Sequence, residues 1–86
     1  MAPLELRLRK LLGKEVNKLG FDLKRVYLGS DNGKKALFVI IDNEKGVTIN
    51  DCTRVSRTID PILEASDVIK DSYILIVSSP GVNKES

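Results

Sequence analysis

Residues 36–52 read ALFVIIDNEKGVTINDC, and this stretch sets the architecture. The run Leu37–Ile41 is apolar throughout, as expected of a strand covered on both faces or placed in mid-sheet. Asn43–Gly46 forms a tight connection of turn-forming residues. Thr48 then reads as a helix N-cap, with Asp51 three residues on in a weaker, aspartate version of the capping box. The helix it opens carries Ile49, Cys52, Val55, Ile59, Ile62 and Leu63 on one face. Arg54, Arg57 and Asp60 turn more toward solvent. Pro61 removes a helix hydrogen bond, which predicts a kink or a restart with Asp60 as a second N-cap.

Upstream, residues 3–19 predict an amphipathic helix. Pro3 suits its first turn. Leu4, Leu8, Leu11, Leu12, Val16 and Leu19 share a face, and Gly20 supplies the C-terminal stop. Gly13 weakens the interior by roughly 1 kcal/mol relative to alanine. Residues 21–28 (FDLKRVYL) predict a strand. Phe21 and Leu23 alternate with polar residues, then Val26 and Leu28 fall one step out of phase, so a bulge is expected near Arg25. Ser30–Gly33 contains Asn-Gly, a hairpin signal. Downstream, residues 65–72 form a polar connection with Val68 and Ile69 tucked in. Residues 73–78 (YILIVS) predict a third strand, which Ser79-Pro80-Gly81 ends. The order is α-β-β-α-β: an α+β fold with two helices packed on a three-stranded sheet. A right-handed crossover is expected if the second and third strands run parallel.

The sequence has 86 residues, enough for one compact domain. Its 42% apolar and 30% charged residues are ordinary for a globular protein. The net charge of +2 conceals an asymmetry. Residues 1–35 carry nine Lys/Arg and four acids, whereas residues 36–86 carry five bases and eight acids. No run of residues is apolar enough for a signal peptide or membrane span, and the single cysteine, Cys52, implies no oxidising compartment. A cytoplasmic protein is expected.

Three stretches, taken together, resemble the RimP family of bacterial ribosome maturation factors. The first is Gly46-Val47-Thr48-Ile49-Asn50-Asp51-Cys52, followed by Arg54-Val55-Ser56-Arg57. The second is Val77-Ser78-Ser79-Pro80-Gly81-Val82. The third is the frame: a leucine-rich helix ending in Leu19-Gly20-Phe21, then a strand ending in Ile41-Asp42 before the glycine turn. The resemblance implies that residues 1–81 are a RimP-like N-terminal domain, with Gly46, Thr48, Asp51, Ser78, Ser79, Pro80 and Gly81 as structural motif residues. It also implies a second, SH3-like domain beyond this sequence, with residues 82–86 a tail or the start of a linker. Three departures stand out. Asn83-Lys84 replaces an acidic residue and an arginine, Glu85 replaces a proline, and Pro61 sits where the family continues its helix. The implied function is to bind the immature small ribosomal subunit, through rRNA or a ribosomal protein near the decoding region, and to promote its assembly.

Two sets of basic residues are candidate contacts. Arg7, Lys10, Lys14 and Lys18 form a stripe on the first helix that could meet phosphates, with a solvated face as the competing reading. Arg54 and Arg57 could grip rRNA or a ribosomal protein. Leu6, projecting toward the polar side, could touch a partner. Asp42 beside Glu44 is better explained as a local backbone cap than as a cation site. Cys52 reads as a small buried hydrophobe. No residues assemble a catalytic set: histidine is absent, and no phosphate loop or zinc spacing occurs. The chain therefore reads as a monomeric binding module with no cofactor and no metal. A KH-like RNA-binding module is the alternative, although the two glycines three apart that a KH loop needs are missing.

Overall fold

The computed structural model describes residues 3–80 and the backbone of Val82–Asn83. Helix α1 spans Pro3–Lys18, strand β1 Asp22–Asp31, β2 Lys34–Asp42 and β3 Val47–Thr48. Helix α2 spans Ile49–Ser66, β4 Ile74–Ser78 and β5 Val82–Asn83. The main sheet has the order β1-β2-β4, with β1 antiparallel and β4 parallel to β2. The two helices and this three-stranded sheet give the expected α+β fold.

The apolar run of residues 37–41 is explained by the central place of β2. Alternation puts Leu37, Val39 and Ile41 in the core, where all three are fully buried. They meet Leu8, Leu12 and Val16 of α1 and Val55, Ile59 and Leu63 of α2 in one cluster. Burying each such side chain stabilises by about 1.5–3 kcal/mol. Phe38 and Ile40 point to the opposite face and are only half-buried. There Phe38 stacks on Tyr27 with ring centroids 5.2 Å apart, and the Arg25 guanidinium lies 4.8 Å from the Tyr27 ring centre.

The local signals act as their chemistry dictates. The pairing register shifts between Leu23 and Arg25, the expected bulge, and this brings Val26 onto the core face beside Val39. Asn32 and Gly33, with φ of 53° and 79°, form a two-residue loop in which both residues are left-handed. The strands therefore run further toward the turn than the sequence suggested, to Asp31 and from Lys34. At the end of α1, Gly20 takes φ 95° while its N–H and that of Phe21 bond to the carbonyls of Asn17 and Val16. That is a Schellman closure, and it seats Phe21 in the core.

Three expectations are corrected. Helix α2 passes through Pro61 without a restart at Asp60. Pro61 lies on the exposed side, and the carbonyl it leaves unpaired belongs to exposed Arg57, within reach of water. Ile49, assigned to the apolar face of α2, is 56% exposed because the first turn overhangs the core. Val82–Asn83, read as part of the tail, pair in parallel with Val47–Thr48.

Candidate functional site

The two basic groups sit on different helices. Arg7, Lys10, Lys14 and Lys18 are all exposed on α1. Their spacing of three and four residues advances about 5–6 Å per step along the helix. The opposite side of α1 is held down by Leu8, Leu12 and Val16, so burial of the leucine face forces the cations outward. Lys18 makes only a loose pair with Glu15, at 3.5 Å. Leu6 is 55% exposed, as its position among the polar residues predicted.

Arg9 has a different job, which spacing alone did not reveal. Its guanidinium donates to the Lys24 carbonyl at 2.7 Å and ties α1 to the bulge in β1. Arg25 similarly reaches back to Glu5. These two cations are engaged with the protein itself, which separates them from the outward stripe.

On α2, Arg54 is exposed and pairs with Asp51 at 3.7 Å. Arg57 is exposed and has no ion-pair partner among the described residues; it borders a groove between α2 and β4. No hydrogen bond or ion pair among the described residues joins Arg54 or Arg57 to the α1 stripe.

The motif residues are brought together more tightly. Gly46 turns the chain at φ 90°, its N–H bonded to the Asn43 carbonyl at 3.0 Å. The Asn43 side chain meanwhile donates to the Gly20 carbonyl at 2.6 Å, linking this turn to the end of α1. Asp42 accepts from the Asn43 N–H at 2.8 Å, the local cap anticipated for it. Thr48 Oγ1 accepts from the Asp51 N–H at 2.9 Å, and Asp51 Oδ2 accepts from the Thr48 N–H at 3.0 Å, completing the capping box. Ser78 ends β4; Ser79 is half-buried and Pro80 exposed. Gly81 lies outside the described residues. Beyond it, β5 returns alongside β3. Val47–Thr48 and Val82–Asn83, far apart in sequence, therefore pair at the start of α2.

Residues 11–83 match the family described as the RimP N-terminal domain. This chain belongs to that family. The match takes in β3 and β5, the second half of α1 and the whole main sheet. A RimP N-terminal domain is a ribosome maturation factor domain, which places the chain in ribosome biogenesis.

Among the described residues, no group of three or more His, Cys, Asp or Glu is placed to hold a metal. Cys52 is half-buried, less enclosed than its position among apolar residues suggested, and burial followed by the nearby Asp51 charge raises its thiol pKa. Among the described residues, no helix is long and apolar enough to cross a membrane.

Proposed function

We propose that this domain binds the immature small ribosomal subunit in the cytoplasm and promotes its assembly by binding alone, without catalysis. The carrying observation is the family match over residues 11–83. The exposed bases of α1 support a contact with rRNA phosphates, which give affinity without base-sequence readout. Arg54 and Arg57 offer a second contact, to rRNA or to a ribosomal protein of the decoding region. A monomer is sufficient for this role.

The test is co-sedimentation of the chain with immature and mature small subunits, with large subunits as control, at two salt concentrations. Selective retention by immature small subunits at both salts is the expected result. A Lys10→Glu/Lys14→Glu variant should weaken retention and flatten its salt dependence, because each lost phosphate contact removes about one unit of slope. An Arg54→Glu/Arg57→Glu variant tests the second contact separately. Retention by every particle, lost at the higher salt, would reduce the domain to a generic polyanion binder. Tighter binding to short single-stranded RNA than to any subunit would favour a stand-alone RNA-binding module.

A further inference from the structure

The two edges of the main sheet are treated differently. On the β1 edge, side chains of α1 engage the strand: Arg9 bonds to the Lys24 carbonyl, and Glu5 pairs with the Arg25 side chain. The β4 edge has no neighbouring strand among the described residues. Its residues Ile74–Ser78 include no charge and no proline, the usual devices that discourage pairing at an edge. Beside it runs a groove walled by α2. One half is lined by Ile49, Cys52, Arg57 and Val77, the other by Asp60, Glu64 and Tyr73, and Ser56 and Leu75 border both. Asp60 and Glu64 have no ion-pair partner among the described residues, while Asp71 at the same end is paired with Lys35.

We propose that the β4 edge takes an extended peptide strand from a partner protein, apolar where it passes Ile49 and Val77 and basic where it passes Asp60 and Glu64. Strand addition supplies backbone hydrogen bonds from the partner, and the groove selects its side chains. The acids exclude the main competitors. A nucleic-acid strand would bring phosphates against Asp60 and Glu64, with repulsion at every contact. A second copy of this chain would offer Ile74–Ser78, which carries no base to meet those acids. This surface lies at the sheet edge away from the one that α1 engages, and it shares Arg57 with the second contact proposed above.

The probe is a synthetic peptide of about nine residues, long enough to span a typical strand, with threonine–valine repeats in one half and lysine–valine repeats in the other. It is made in both chain orders, because the added strand can run in either direction, and titrated into the isotopically labelled chain by NMR. The expected shifts fall on the amides of β4 and on the α2 residues lining the groove. Methylating alternate peptide nitrogens should abolish binding, and an Asp60→Lys/Glu64→Lys variant, exposed and compatible with folding, should weaken it by about tenfold or more. Absence of shifts at millimolar peptide, shifts on α1 instead, or indifference to N-methylation would overturn the proposal. Stronger binding of a uridine oligonucleotide to the same residues would also overturn it. Shifts in β4 that depend on protein concentration without peptide would assign the edge to a second copy.

Discussion

The Arg25 guanidinium donates to both carboxylate oxygens of Glu5, at 3.3 and 3.2 Å, across 20 residues of sequence. Glu5 projects from the first turns of α1 and Arg25 follows the bulge in β1, so the pair locks the helix to the edge of the sheet. The same guanidinium covers Tyr27, which in turn stacks on Phe38. A row of contacts thus runs from α1 around the β1 edge and onto the face opposite the helices.

That pair predicts a pH effect of definite sign. The hydrogen bond from Arg25 is the largest cause acting on Glu5, and with the guanidinium charge it outweighs partial desolvation and holds the carboxyl below its ordinary value. A depressed folded-state pKa stabilises above the unfolded value and is lost as pH falls through the folded one. Carbon-detected NMR titration should show Glu5 titrating low, and Arg25→Met should raise it. Because the pair is largely exposed, the stability change should be small and should shrink with salt. An unchanged Glu5 titration in Arg25→Met would show that the pair does not persist in solution.

The capping box should matter more than its short side chains suggest. Thr48→Ala removes the acceptor of the Asp51 N–H and leaves only the reciprocal bond, from the residue-48 N–H to Asp51 Oδ2. The expected loss is about 1 kcal/mol. Urea unfolding with an unchanged m-value checks it, since only stability should move.

Two glycine substitutions should act in opposite directions. A Cβ at Gly13, inside α1, meets no atom within 4 Å, so Gly13→Ala should stabilise by roughly 0.5–1 kcal/mol through helix propensity. A Cβ at Gly29 would lie 2.9 Å from Phe38 Cε2. Gly29→Ala must therefore push the ring away from its place beside Tyr27, at a cost of about 1 kcal/mol. Thermal unfolding of the two variants, with the Phe38 ring resonances followed in the second, would separate the effects.

The Cys52 thiol should react slowly. Burial raises its pKa and the Asp51 carboxylate adds to the shift, so little thiolate is present near neutral pH. Alkylation at neutral pH should run slower than that of a free cysteine in denaturant and should accelerate as pH rises. A rate equal to the denatured chain's would mean that the start of α2 opens freely.

Much of this architecture is legible in short sequence signals because the interactions behind them are local. Asn32-Gly33 demands a left-handed two-residue loop, Thr48 and Asp51 cap each other over one turn, and the phase change between Leu23 and Val26 can only be a bulge. The exposed stripe of α1 was equally visible, since helical spacing alone separates four cations from the leucine face. Pro61 misled because its cost depends on whether water reaches the Arg57 carbonyl, which the outward turn expected of the Arg57 side chain does not by itself fix.

The sequence by itself determined the two helices, the three strands of the main sheet, their order and most of the buried faces, through periodicity, capping and turn chemistry that act within a few residues. Only the tertiary structure decided that β2 is central, that Arg9 and Arg25 serve the fold while the stripe faces outward, and that Val47–Thr48 pair with Val82–Asn83 as β3 and β5. It alone distinguished an edge of the sheet engaged by α1 from the β4 edge, which has no neighbouring strand among the described residues. These are relations between segments far apart in the chain. Their energy comes from mutual burial and long-range pairing, which no local pattern specifies.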